Sequence, residues 1–169
     1  MTDVPTLQDH VEIDAPPETV WTLVGDPTRM ADWSPQVDST RLADGATVCA
    51  LGTRFTNRNV QGELAWITHG EVVRHEPGRA LAFRIEENWA IWSFELEPRP
   101  DGGTVLHQRR EAPEGISELS RELTEAFLGG MDALTADLRS GMRETLIGIK
   151  TAAEALAPAR TPSSPTLET

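Results

Sequence analysis

A stripe of apolar residues runs from Ser117 to about Leu156, and whatever fold this chain adopts must cover it. Leu119, Leu123, Phe127, Met131, Leu134, Leu138, Met142, Leu146, Ile149, Ala153 and Leu156 recur mostly at spacings of three or four, which gathers them on one side of a helix. Glu, Arg, Asp and Lys hold the other side. At about 1.5 Å per residue an unbroken helix would run roughly 50–60 Å, too long for one compact domain. Gly129-Gly130 is the place to break it, because glycine is costly inside a helix and permissive at a bend. A short leading helix and a longer final one are expected, and together they need a broad apolar partner.

The rest of the chain supplies that partner as strands. Leu7 to Asp14 alternates Val11 and Ile13 with His10, Glu12 and Asp14, the period of a half-buried strand. Ala15-Pro16-Pro17-Glu18 then opens a short helix, since proline suits the first helical turn, and Gly25-Asp26-Pro27 stops it. A second helical turn carries Met30, Ala31 and Trp33 and ends at Ser34-Pro35. From Val37 to Glu111, turn signals at Asp44-Gly45, Gln61-Gly62, Pro77-Gly78 and Asp101-Gly102-Gly103 separate strands near Val37–Leu42, Thr53–Val60, Ala65–His75, Ala80–Glu86, Ala90–Glu97 and Thr104–Glu111. Consecutive strands joined by short turns make an antiparallel meander. The expected fold is therefore α+β: a helix-grip, with a seven-stranded curved antiparallel sheet wrapped around the long C-terminal helix and two short helices after the first strand. One domain spans residues 7–156, and residues 157–169, rich in Ala, Pro, Ser and Thr, are expected to be a disordered tail.

Charge narrows the partners. The 15 Lys and Arg against 27 Asp and Glu leave a net −12, which argues against nucleic acid or an anionic membrane surface as the main partner. No stretch approaches a membrane span and no signal-like start is visible, so a cytoplasmic protein without membrane insertion is expected. A homodimer stays open. The single cysteine, Cys49, has no second thiol for a disulfide or metal site and reads as a small, partly buried filler.

The opening Val11-Glu12-Ile13-Asp14-Ala15-Pro16-Pro17-Glu18-Thr19-Val20-Trp21, with Asp26-Pro27 and Trp33-Ser34-Pro35, resembles the start of the polyketide cyclase/dehydrase-like group of the SRPBCC (START/Bet v 1-like) superfamily. Gly52-Thr53-Arg54-Phe55 with Asn57 and Asn59, then Trp66, Val72, Glu76-Pro77-Gly78-Arg79, Trp92, Gly103-Thr104, Gly141-Met142, Leu146 and Lys150 extend the likeness over roughly residues 8 to 155. The resemblance implies a deep cavity between sheet and C-terminal helix that holds an apolar or polycyclic ligand. Its relatives range from aromatic-polyketide cyclases to lipid or steroid carriers, so the scaffold alone does not choose an activity.

Alternation assigns the faces. Trp92 and Phe94 point inward on one strand, and Leu81, Phe83 and Ile85 on another. Phe55 carries Asn57 and Asn59 to its own face, an unusual place for two amides. Turning Trp66 and Val72 inward carries Thr68 with them and leaves His69 and Glu71 outside. In the last strand the inward set is either Thr104, Leu106, Gln108 and Arg110 or Val105, His107, Arg109 and Glu111. The family pattern favours the first. Asn57, Asn59, Thr68, Gln108 and Arg110 are then inward polar groups, which must bond one another, water or a ligand. A self-satisfied polar core is the plain alternative, and Arg110 has the further option of snorkelling to a strand end. Among five tryptophans, Trp21 and Trp66 read as core, with Trp66 also on the cavity face, while Trp33, Trp89 and Trp92 suit a cavity or its mouth. Phe127 and Met131, beside the glycine pair, are expected to roof it with Leu123.

No chemistry-bearing motif stands out. There is no Gly-x-Ser-x-Gly, no Cys–His pairing, no His-Glu-x-x-His and no phosphate-binding glycine loop, so neither metal nor cofactor is expected. His10, His69, His75 and His107 fall mostly on outer positions. The expected site is thus Trp33, Phe55, Asn57, Asn59, Trp66, Thr68, Phe83, Trp92, Phe94, Gln108, Arg110, Phe127 and Met131, with no catalytic residue assigned. Its ligand is an apolar or aromatic small molecule. One reading is a cyclase or dehydratase, in which Arg110, Gln108, Asn57 and Asn59 polarise carbonyl or enolate oxygens while the cavity folds the substrate. The other is a carrier or sensor of a lipid- or steroid-type molecule, which needs no base. A partner-binding module that uses the acidic surface is a third.

Overall fold

The computed structural model describes residues 4–157 and shows the α+β helix-grip. β1 (Leu7–Ile13) leads into α1 (Pro17–Val24) and a 3-10 helix (Pro27–Asp32). Then come β2 (Val37–Leu42), β3 (Arg54–Gln61), β4 (Leu64–Glu76), β5 (Ala80–Ile85), β6 (Ile91–Pro98) and β7 (Thr104–Glu111), followed by α2 (Glu118–Phe127) and α3 (Met131–Leu156). All strands pair antiparallel in one seven-stranded sheet ordered β1-β7-β6-β5-β4-β3-β2. The meander from β2 to β7 is the one its turn signals demand. The first strand pairing with the last is a tertiary choice that no local signal announces. Apart from Ala157, the expected disordered tail lies outside the described residues.

α3 is held to the sheet in two ways. Its Met142, Leu146, Ile149 and Ala153 are buried against Leu7 and Ile13 of β1, Leu106 of β7, and Val20 and Leu23 of α1. Burying a side chain of leucine size contributes roughly 1.5–3 kcal/mol, so this strip carries much of the helix's attachment. A polar seam runs beside it. Arg143 donates from Nε to Asp9 at 2.8 Å and from Nη2 to the His10 carbonyl at 2.8 Å, and Lys150 donates to the Glu12 carbonyl at 2.7 Å. Glu154 accepts the Asp14 N–H at 3.0 Å. Because β1 is an edge strand, the seam satisfies backbone groups that would otherwise be open to another chain.

The middle of the sheet has its own cluster, Phe55, Val72, Leu81, Phe83 and Ile85. Phe55 lies opposite Gly70, and a Cβ there would come within 2.3 Å of its ring. The ring also meets Phe83 edge-on at 5.3 Å between centroids. Cys49 is half-buried against this cluster, and burial pushes its thiol pKa up.

Two local features bend the pattern. Between α2 and α3, Gly129 and Gly130 take φ of 77° and 92°, in the left-handed region that favours glycine, so the break falls where expected. In β4 the register shifts between Val72 and Arg74, a bulge at Val73. One inserted residue reverses the faces beyond it. His75, expected outside, therefore shares the inner face with Leu81 and packs edge-on to Trp21 at 5.6 Å.

Candidate ligand cavity

The concave face of β3–β7, with α2 and the first half of α3 over it, forms a half-open cavity of about 770 Å³. That is within the size range of small-molecule sites. Phe83 of β5 and Trp92 of β6 are neighbours across the ladder and form the floor with Phe94. α2 is pinned at one end by Ser117 and Ser120, whose hydroxyls donate to the Glu87 carbonyl at 2.6 and 3.1 Å. At its other end the glycine pair passes the chain to α3. Leu119, Leu123 and Phe127 of α2 line the cavity yet stay exposed, as do Leu64 and Ile67 of the β3–β4 hairpin, so these two elements make an apolar rim.

Polar groups enter from two walls. On β3 and β4, Asn57 accepts from the Thr40 hydroxyl at 2.6 Å. Asn59 donates from Nδ2 to the Thr68 hydroxyl at 3.0 Å and to the Trp66 carbonyl at 3.5 Å. All four side chains, Thr40, Asn57, Asn59 and Thr68, are buried. On β7 the inward set is Thr104, Leu106, Gln108 and Arg110, as the family pattern favours. Thr104 donates to the Ala15 carbonyl at 2.8 Å. Gln108 and Arg110 are each only 6% exposed and line the cavity. The Gln108 Oε1 is enclosed with no hydrogen-bond partner. Arg110 has no ion-pair partner among the described residues; its guanidinium sits 5.8 Å from the Trp92 ring centroid, and burial lowers its pKa. It does not snorkel out.

Of the expected site residues, Asn57, Asn59, Trp66, Thr68, Phe83, Trp92, Phe94, Gln108, Arg110 and Phe127 line this cavity. Trp66 is half-buried rather than core. Three do not line it. Phe55 is spent on covering Gly70 and packing on Phe83. Trp33, at the end of the 3-10 helix, sits over α3, where a Cβ on Gly148 would lie 3.2 Å from its own, and Arg29 stacks on its ring at 5.0 Å. Met131 opens α3 just past the glycine turn, which rotates the stripe so that Leu134 and Leu138 face the cavity instead. Trp89 also stays off it, exposed at the β5–β6 turn with φ 65°. Ile85 was visible to alternation as inward and does line the cavity. Ser34, Pro35 and Gln36, leading into β2, had no periodic signal to mark them.

No histidine lines the cavity. Its carboxylates are Glu87, Asp137 and Glu144, all at accessible positions. Glu87 is engaged by the His69 N–H at 2.8 Å and Asp137 by Gln61 at 3.0 Å. None of them is a buried base.

Sheet, gripped helix and the cavity between them define an SRPBCC-type protein. The profile described as polyketide cyclase / dehydrase and lipid transport matches residues 5–154, and the chain belongs to that family. Among solved structures it resembles the polyketide cyclase-like protein Cgl2372 of Corynebacterium glutamicum at 30% identity, over 92% of this chain and 94% of that one, with a TM-score of 0.60. It shares the fold of the di-domain ARO/CYC protein StfQ of the steffimycin biosynthetic pathway at 16% identity, over 89% of this chain but 50% of that one, with a TM-score of 0.69. DR_A0006 of Deinococcus radiodurans shares it too, at 16% identity over 89% and 98%, with a TM-score of 0.62. No curated protein matches the sequence significantly. No helix among the described residues is long and apolar enough to cross a membrane.

Proposed function

We propose that the protein binds a hydrophobic or polycyclic small molecule in this cavity and holds it unchanged, as a carrier or sensor in the cytoplasm. The observation that carries the reading is the half-open cavity of about 770 Å³ floored by Phe83, Trp92 and Phe94. Burial of a ring system there removes apolar surface from water at about 25 cal/mol per Å², the driving force that must offset the cost of association. The missing buried base fits holding better than turning over.

A second reading, a polyketide cyclase or dehydratase, draws on the family and on the two unpaired groups of β7. Arg110 and Gln108 would orient and polarise substrate oxygens, and positioning alone lowers a cyclisation barrier by several kcal/mol. Proton abstraction would then fall to water or to the substrate itself. A thermal-shift and native-mass screen with polycyclic, fatty and steroidal molecules, followed by product analysis, separates the two. Binding with unchanged mass is expected; a mass loss of one water or a new ring would establish the cyclase, and no binding by any class would sink both.

A further inference from the structure

We infer that the ligand carries an anionic group, a carboxylate or an acidic enolate or phenolate, and that Arg110 receives it inside the cavity. The inference rests on the cavity-binding reading and names the chemical class that reading leaves open.

Four observations meet on β7. Arg110 is a full positive charge, buried to 6% exposure, on the inner face of a strand next to the sheet edge. No carboxylate pairs with it among the described residues, although the chain has 27 acidic residues. Its neighbour two positions along the same face, Gln108, has an enclosed carbonyl oxygen with no donor. Trp92 lies across the ladder from Arg110, its ring offering one face to the guanidinium and also lining the cavity.

A buried guanidinium with no counter-charge is costly, so a fold that keeps one gains from it elsewhere. The planar fork of Arg matches the two oxygens of a carboxylate or the oxygen pair of a β-dicarbonyl enolate. Gln108 Oε1 is sealed off from the cavity, so the guanidinium is the polar group of β7 that a ligand meets. The aromatic floor then takes the apolar body. The predicted ligand is thus an amphipathic acid, with its charged end on β7 and its ring or chain along Phe83, Trp92 and Phe94.

The test uses the full chain with 1-pyrenebutyric acid and its methyl ester, read by tryptophan quenching at pH 7.5. The acid should bind about tenfold or more tightly than the ester, the usual worth of a charge-assisted hydrogen bond. Arg110→Met should abolish the preference by weakening only the acid. Arg110→Lys should keep part of it, because the charge remains and the fork does not. Gln108→Glu, which sets a carboxylate beside Arg110, should weaken the acid as well. Thermal melts of each variant report folding. Equal affinity of acid and ester, or a preference that survives Arg110→Met, overturns the anion while leaving the cavity reading intact. Failure of both probes to bind overturns the cavity reading, and this inference with it.

Discussion

The two polar walls of the cavity are built from similar residues and do opposite things. On β3–β4 each buried polar side chain has a partner: Asn57 with Thr40, Asn59 with Thr68. On β7 the side chains of Gln108 and Arg110 have no hydrogen bond or ion pair among the described residues, and the Trp92 ring is the group set against the charge. Polar groups that satisfy each other belong to the fold, because removing one strands the other. An unpaired polar group is a cost to the fold, and one that faces the cavity, as the Arg110 guanidinium does, is a resource for a ligand. The contrast splits one set of inward polar residues into a structural half and a binding half.

Mutation should give the two walls opposite signs. Within the two walls the largest effect is expected for Asn57→Leu and Asn59→Leu, which leave the Thr40 or Thr68 hydroxyl buried without its partner. Each should cost about 1–3 kcal/mol, a fall of several degrees in Tm by differential scanning fluorimetry. An unchanged Tm would merge the two walls again. Arg110→Met, in contrast, should raise stability by about 1–2 kcal/mol, since it replaces an uncompensated buried charge by an apolar chain of similar length. A lower Tm would point to a structural role for the guanidinium. Gln108→Leu should gain less, about 0–1 kcal/mol, by removing one enclosed acceptor; urea melts resolve a change of this size.

The smallest effect sharpens the comparison from outside. Neither wall holds a buried carboxylate, so the acid limb of stability should come in part from the seam between α3 and β1. The Lys150 ammonium and then the Asp14 N–H hold the Glu154 carboxyl below its ordinary range. Burial pushes the Asp9 carboxyl up, but the Arg143 hydrogen bond and charge together with the His10 N–H bring it below its ordinary value. A carboxyl lowered in the folded state stabilises above its unfolded pKa, and that contribution is lost as pH falls through the folded value. Glu154→Gln should flatten the decline of Tm below about pH 4.5 and leave Tm at neutral pH little changed. An acid limb unaltered in Glu154→Gln would move the titrating groups elsewhere.

The glycine pair modifies one natural experiment. Leu123 and Phe127 roof the cavity beside Gly129-Gly130, which invites alanine substitution there as a test of roof motion. With φ of 77° and 92°, alanine at both would strain the junction by about 1–3 kcal/mol each, so the substitution reports strain before motion.

Periodicity alone carried the architecture. The strand from Thr104 to Glu111 has the bounds its turn signals mark, and the helical stripe divides at Gly129-Gly130 as the cost of glycine requires. Face assignment held wherever the ladder is regular, as for Asn57 and Asn59. It failed at His75 because a bulge changes parity and leaves no compositional trace. Depth was illegible too. Alternation puts Phe55 on the inner face, but only the ring's fit over Gly70 decides that it packs on the sheet and not on the cavity. Trp33 is the same lesson in a loop, where no period exists and the contact at Gly148 is made by a helix more than a hundred residues away.

What the sequence determined by itself is therefore everything that depends on neighbours along the chain: a meander of strands, a broken amphipathic helix to cover it, and amides and a guanidinium on the covered face. What only the tertiary structure decided is which of those polar groups find one another. Asn57 meets Thr40 across the β2–β3 ladder and Asn59 meets Thr68 across β3–β4, while β7 lies between β1 and β6, where Leu7 and Trp92 stand opposite Arg110. Strand order sets Asp9 opposite Gln108, one pair away, but Arg143 of α3 takes that carboxylate, and this leaves Arg110 as the place where a ligand's charge can be met.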